Sequence, residues 1–345
     1  MQLIKIIRAV AVVASLTFSG FAAAVITPSL SITLSQPGNS PGLNNTFIIG
    51  PAANTLDALS NGVSGFVGGG QGLAGLNFNR YAVGGGTGAA AAPGGQQWNV
   101  WGAYSHTNVG FDYAPLSSAG RVNIYLAGID YTFSNNIVFG VATAFDHNST
   151  DLNFSGGKLD GSGYTVSPYL GMLINKNLAF DATIGFGRTD IDTSVTGVTG
   201  STHSDRTLGA LGLTYRQAFG DWTLTGRGAL LGVHSKLGSN TLSNGTFVPD
   251  SSANLSQVRL TGQAAYTYKQ ITPYLSISYI NDLKHPEQAP ILGVPASNDR
   301  DGWLPAIGVR FRAENMLYGS VQYSSERGRS QIRNDMFLFS LGIRF

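Results

Sequence analysis

The fold is decided by the last stretch of the chain, residues 335–345, which reads DMFLFSLGIRF. Large apolar side chains occupy every second position, namely Phe337, Phe339, Leu341, Ile343 and Phe345. A period of two predicts a β-strand with one apolar face and one mixed face. A tilted strand of about ten residues is long enough to cross a bilayer, so this stretch predicts the strand that closes a transmembrane β-barrel.

The composition favours such a barrel over a soluble enzyme. Charged residues make up 12% of the 345-residue chain, against roughly 25% in soluble domains. Glycine occurs 46 times, and no stretch beyond the N-terminus is apolar over the ~20 residues that a membrane-spanning helix needs. Cysteine is absent, which excludes a disulfide framework, cysteine metal sites and a lipoprotein anchor.

Residues 1–24 are predicted to be a signal peptide. Lys5 and Arg8 precede an apolar run, and three alanines ending at Ala24 supply the cleavage site. The alternative is an uncleaved N-terminal membrane anchor. Without the leader, the chain has 21 − 2 = 19 basic and 19 acidic residues, so its net charge is zero and no nucleic-acid partner is expected.

Residues 25–96 are rich in glycine, alanine and other small residues, and are predicted to form a short passenger or linker without its own core. Within them, 51–66 is a candidate pore helix, because apolar residues recur near helical spacing. These are Leu56, Leu59, Val63 and Phe66. The pair Asn44-Asn45 raises the alternative that the chain cleaves itself there.

From residue 97 to 345 the chain predicts an all-β fold, a single antiparallel barrel of about twelve strands. The predicted strands are 98–108, 121–133, 136–147, 162–173, 177–190, 205–219, 221–235, 256–269, 271–282, 302–312, 315–326 and 335–345. Short turns alternate with longer loops, which include 148–161, 191–204, 236–255 and 327–334. This asymmetry is typical of outer-membrane barrels and places both ends of the barrel on the periplasmic side.

Charged residues in these strands are predicted to face the lumen. A lysine or arginine on the lipid face costs ~2–4 kcal/mol near the bilayer centre. The predicted lumenal charges are Arg216, Arg227, Arg259, Arg310, Arg312, Arg344, Asp130, Asp181 and Glu326, with Asp146 as a further partner. They predict either an anion filter or structural ion pairs, and the sequence leaves both open.

The sequence contains no catalytic or metal-binding motif. The one Gly-x-Ser-x-Gly match, at residues 38–42, lies in the segment rich in small residues and lacks the strand–turn–helix setting of a nucleophile elbow, and no His-Glu-x-x-His pattern occurs. No enzyme activity, cofactor or metal is therefore expected. His106, His147 and His234 fall at the predicted outer ends of strands, where a hydrolase could assemble a Ser–His site. The preferred interpretation is that they are polar rim residues.

From about residue 98 the chain resembles the translocator domain of autotransporters, the type V secretion family. The motifs are Trp101-Gly102, Gly128-Ile129-Asp130-Tyr131, Gly140-Val141-Ala142, Tyr169-Leu170-Gly171, the run 179–187 and the terminal Phe345. The resemblance implies a twelve-stranded barrel with an N-terminal helix in the pore. It also implies insertion by the barrel-assembly machinery, which reads the final strand through Leu341, Ile343 and Phe345.

The chain departs from this family in its N-terminal part. About seventy residues stand where a passenger of hundreds is usual, and the candidate helix ends about thirty residues before the first strand. We expect a monomer in the bacterial outer membrane, with lipid, periplasmic chaperones and the assembly machinery as partners. Its expected function is to translocate or display its own N-terminal segment. The alternatives are a passive or plugged channel and an outer-membrane hydrolase.

Overall fold

The computed structural model describes residues 98–112, 117–134, 137–153, 155–284, 299–313 and 317–344. The signal peptide, the 25–96 segment and its candidate helix lie outside them. The strands are β1 (Trp98–Phe111), β2 (Ser118–Ser134), β3 (Ile137–Leu152), β4 (Gly157–Asn175), β5 (Leu178–Val195), β6 (Val198–Phe219), β7 (Trp222–Leu237), β8 (Asn240–Thr241), β9 (Phe247–Val248), β10 (Ser251–Tyr266), β11 (Ile271–Lys284), β12 (Asp301–Ala313), β13 (Leu317–Glu326) and β14 (Ile332–Arg344).

Twelve of these strands form one closed antiparallel barrel, in the order β1-β14-β13-β12-β11-β10-β7-β6-β5-β4-β3-β2. The predicted all-β barrel of twelve strands is therefore confirmed. The final strand closes it, because β14 pairs with β13 on one side and with β1 on the other. Its register with β1 runs from Asn99 opposite Arg344 to Phe111 opposite Ile332.

Two of the predicted long loops are wrong. β5 and β6 are joined only by Thr196 and Gly197, whose φ angles of 49° and 82° are those of a tight hairpin turn. The connection between β3 and β4 is also short, spanning residues 153–156. The outward positions of these strand ends are largely Ser, Thr and Asp, which hid the period of two. The inward positions carry only a few buried apolar residues, such as Leu152, Leu159 and Ile191, among polar residues and glycines.

The loop between β7 and β10 contains a feature that the sequence did not predict. Strands β8 and β9 form a small hairpin there. Ser243 in its turn exchanges hydrogen bonds with Thr199 of β6, through its backbone N–H and its hydroxyl. The hairpin therefore covers the part of β6 that extends above β7, which would otherwise expose an unpaired edge.

The outward surface of the barrel is apolar and is bordered by aromatic side chains. Exposed aliphatic residues such as Leu260 and Ile307 lie between two sets of exposed aromatic residues. Trp98, Phe133, Phe219 and Trp222 mark the end where the barrel begins, and Tyr125, Phe145, Tyr164 and Trp303 mark the other. Such girdles are typical of barrels that span a lipid bilayer. In the described ranges, no helix has the length and hydropathy to cross a membrane.

Four inward-facing aromatic residues each lie directly opposite a glycine on the neighbouring strand. The pairs are Trp101 with Gly128, Tyr169 with Gly140, Tyr274 with Gly308, and Tyr318 with Gly342. A Cβ atom added at any of these glycines would overlap the opposite ring. Each aromatic side chain therefore lies flat against bare backbone and covers it, which pins the strand register.

Replacing Gly140 by valine is expected to destabilise the folded barrel by about 1–3 kcal/mol, because the new side chain displaces the Tyr169 ring. The matched control is Gly262→Val, since the space around Gly262 is open. The measurement is the temperature at which the folded band converts to the unfolded band on a semi-native gel. Equal transition temperatures for the two variants would contradict the role of the Tyr169–Gly140 contact.

Candidate functional site in the barrel lumen

The middle of the lumen carries a belt of buried apolar side chains, which we call the apolar belt. It consists of Ile124, Leu208, Leu231, Val233 and Leu255, none more than 1% exposed. They come from β2, β6, β7 and β10 and occupy the inward positions of the period-two pattern. The lumen of a water-filled channel is polar, so this belt is typical of an occupied interior.

Asp130 organises a buried polar network beside the closing strands. Its carboxylate accepts hydrogen bonds from Asn99 Nδ2 at 2.9 Å and from the Tyr169 hydroxyl at 2.7 Å. Trp101 Nε1 donates to the Tyr169 oxygen at 2.8 Å, and the Tyr318 hydroxyl donates to Asn99 Oδ1 at 2.7 Å. The network thus joins β1, β2, β4 and β13 along one side of the lumenal wall.

Two ion pairs lie further round the wall. Arg227 binds Asp181 through two hydrogen bonds of 2.5 and 2.9 Å. Asp146 forms a fully buried, two-point contact with Arg206. Sequence analysis missed Arg206, although its inward position in β6 follows from the alternation that places Arg216 on the same face.

A third charged cluster lies at the outer end of the lumen. Arg329 binds Asp282 at 2.7 Å and Glu326 at 2.9 Å, and all three side chains are buried. Gln257 donates to the other oxygen of Asp282 at 2.9 Å and accepts from Arg259 at 3.2 Å. The cluster ties β10 and β11 to the β13–β14 connection. Sequence analysis missed Arg329, since it lies in the predicted loop 327–334.

The remaining predicted arginines form what we call the arginine wall, namely Arg216, Arg310 and Arg312, near the periplasmic ends of β6 and β12. Arg310 donates to Gln263 Oε1 at 2.7 Å and lies over the Tyr274 ring, 4.1 Å from its centroid. The charges of Arg216 and Arg310 are close enough to interact. The wall concentrates positive charge in this half of the lumen.

The predicted assembly signal lies on the opposite face of β14. Leu341 and Ile343 are exposed on the outward surface, as lipid-facing residues would be. The backbone of Arg344 pairs with Asn99, while its side chain and the whole of Phe345 lie outside the described residues.

The rim histidines lie on the outside of the barrel. His106 and His234 contact the Oδ1 atoms of Asn123 and Asn254, both at 2.8 Å. His147 contacts Ser162 Oγ at 3.0 Å, on an outward face next to the exposed Phe145 and Tyr164. In the part of the chain that the structure describes, no carboxylate hydrogen-bonds to His147 and no cluster of metal-ligating side chains occurs.

Other polar contacts mark the same outer rim. The carboxylate of Asp301, at the start of β12, accepts hydrogen bonds from the Tyr279 hydroxyl and from Asn281. The Tyr279 bond is the main reason that the pKa of Asp301 lies below its usual range, and Asn281 adds to the effect. Together with the histidines, these contacts give the apolar outer surface a polar border.

The family model of the autotransporter beta-domain matches residues 99–324. The chain belongs to the autotransporter family. Autotransporter barrels of this kind lie in the outer membrane of bacteria, which accounts for the apolar outer surface and its two aromatic borders. No curated protein sequence matches the chain.

Solved autotransporter barrels share the fold. The translocator domain of NalP from Neisseria meningitidis is 12% identical with a TM-score of 0.63, and the match covers 72% of this chain and 89% of that one. The β-domain of BrkA from Bordetella is 15% identical with a TM-score of 0.62, covering 72% and 100%. The transport unit of AIDA-I from Escherichia coli is 13% identical with a TM-score of 0.53, covering 74% and 92%.

Removing one partner of the buried Asp146–Arg206 pair is expected to lower the free energy of unfolding of this autotransporter barrel by about 3–5 kcal/mol, because the other charge is left uncompensated. The double variant Asp146→Leu/Arg206→Met is expected to lose less than either single variant. Urea unfolding in detergent micelles or lipid vesicles measures both.

The exposed pair of Arg188 and Asp205 supplies the control for this experiment. Its side chains are about half exposed, so Arg188→Gln is expected to cost at most about 1 kcal/mol. If the Asp146→Leu and Arg206→Met losses simply added in the double variant, the two side chains would not be stabilising each other.

Proposed function

We propose that this autotransporter barrel holds its own N-terminal segment, residues 25–96, in the lumen and displays the start of that segment at the cell surface. The observation that carries the proposal is the apolar belt. A barrel of about eight strands is filled by its own side chains, so twelve strands leave room for a further segment. The 25–96 segment contains suitable apolar residues, including Phe47, Ile48, Ile49 and Leu56.

The segment is long enough to cross the barrel. The longest strand, β6, has 22 residues, which at ~3.3 Å per residue and a tilt of about 40° gives a wall roughly 55 Å high. Residues 25 to 56 extend over at most about 105 Å. Since β1 begins at the periplasmic end, the first part of the segment reaches beyond the outer rim while the part nearer the barrel remains in the lumen.

The outer surface supports the partners expected for such a protein. An apolar wall ringed by aromatic side chains fits outer-membrane lipid. The proposal further includes delivery by periplasmic chaperones and insertion by the barrel-assembly machinery as a monomer. The outward apolar face of β14, which includes Leu341 and Ile343, is the surface that this machinery would read.

Display is tested with single cysteines, because the chain has none of its own. In intact cells, a membrane-impermeant maleimide is expected to label Ser31→Cys and to leave Gly84→Cys unlabelled. Ser239→Cys in the β7–β8 connection is the surface control, and Lys176→Cys in the β4–β5 turn is the periplasmic control; both positions are exposed. Display is wrong if Ser31→Cys reacts only after the outer membrane is permeabilised.

A plugged channel is the second candidate function, and the arginine wall favours it because inward positive charge selects anions. If the 25–96 segment fills the lumen, a chain lacking 25–96 is expected to conduct in planar bilayers, with a preference for anions, while the full chain stays closed. Equal conductance of the two chains would rule out the plug.

A further inference from the structure

The 25–96 segment carries almost no charge. Its only acidic residue is Asp57, and its only basic residue is Arg80. If the segment occupies the lumen, as proposed above, Asp57 is the one carboxylate that it brings into the barrel interior. The position that Asp57 takes there is therefore set by the charges of the lumenal wall.

Arg310 is a wall residue whose contacts with the other described residues leave its charge uncompensated. Arginine stays protonated in proteins, and burying a charge without an opposite charge is costly. Among the described residues, Arg310 hydrogen-bonds Gln263 and stacks on Tyr274, both of which are neutral. By contrast, Arg206, Arg227 and Arg329 each bind an acidic side chain of the wall.

The wall around Arg310 has the shape of a carboxylate site. Gln263 lies in register with Thr225, which in turn lies opposite Arg216, so the side chains of Arg216 and Arg310 flank Gln263 from two sides. The Arg310 guanidinium lies over the Tyr274 ring, and the Tyr274 hydroxyl donates to Gln322 Oε1 at 2.9 Å. A guanidinium held in one orientation favours two-point binding of a carboxylate.

We infer that Asp57 binds the arginine wall at Arg310 and thereby sets the depth of the N-terminal segment in the lumen. The inference rests on the proposed function and adds to it a specific contact. Asp57 then lies in the periplasmic half of the barrel, with the preceding residues directed outward.

The spacing of apolar residues agrees with this depth. Leu255 of the apolar belt lies 263 − 255 = 8 residues above Gln263 on β10, a rise of about 20 Å along the axis. Phe47 to Ile49 precede Asp57 by eight to ten residues. Phe47 to Ile49 would lie about 12 Å above Asp57 if the intervening chain is helical and about 33 Å above it if that chain is extended. The rise of about 20 Å to Leu255 of the apolar belt falls within this range.

Disulfide mapping tests the contact in the full chain. Ala58→Cys, next to an intact Asp57, is combined with Ser276→Cys, which lies in register with Gln263 on β11. The matched control is Ala58→Cys with Ala142→Cys. Ser276 and Ala142 are each the sixth residue of their strand, at the same end, and β11 and β3 lie on opposite sides of the ring. The 58–276 disulfide is expected to form about tenfold faster than the 58–142 disulfide, as for a contact held by a charge-assisted hydrogen bond.

Asp57→Asn is expected to remove this preference, and so is Arg310→Gln, while Arg80→Gln leaves it unchanged. Equal rates for the two disulfides, or a preference that survives Asp57→Asn, would overturn the inference. The proposed function is judged separately by the labelling of Ser31→Cys. A segment that is displayed but shows no preference for position 276 leaves display standing and removes only the Asp57 contact.

Discussion

Closure of the backbone hydrogen-bond ladder is the constraint on which the rest of this structure depends. Inside a bilayer an unpaired backbone N–H or C=O costs several kcal/mol, so a sheet can cross it only when its first and last strands pair. Here β14 pairs along its whole length with β1, from Asn99 to Phe111. Once the ring is closed, every strand has one face toward lipid and one toward the lumen, and each residue type must suit the face that it occupies.

The lumenal face is stabilised by contacts that bring distant strands together. Four glycine–aromatic pairs hold neighbouring strands in register, and the Asp130 network joins two of these aromatic residues, Tyr169 and Trp101, across strands. Four of the motifs that carry the resemblance to autotransporters, those that contain Trp101, Asp130, Gly140 and Tyr169, therefore meet in one place. Gly128 and Gly140 are needed there because the rings of Trp101 and Tyr169 lie on their backbone. Asp130 is needed because its buried carboxylate accepts the hydrogen bond of the Tyr169 hydroxyl.

The same face explains why the lumen is suited to a polypeptide. Most of its buried charges are compensated within the wall, as in the Arg227–Asp181 and Arg329–Asp282 pairs. What remains is the apolar belt in the middle and the arginine wall nearer the periplasm. An apolar segment with a single acidic residue complements both, and this match of charge and hydropathy is the basis of the proposed display function and of the proposed Asp57 contact.

The sequence by itself determined the barrel, its twelve strands and the closing role of residues 335–345, because lipid imposes a period of two that is visible wherever the outward residues are apolar. It could not reveal the outer extensions of β3 to β6. There the outward residues are mostly polar and only a few inward residues are apolar, so no regular alternation of apolar and polar residues is visible. The pairing of lumenal charges was decided only by the tertiary structure. Asp146 and Arg206 are sixty positions apart and meet because the closed ring sets strand order, register and tilt together.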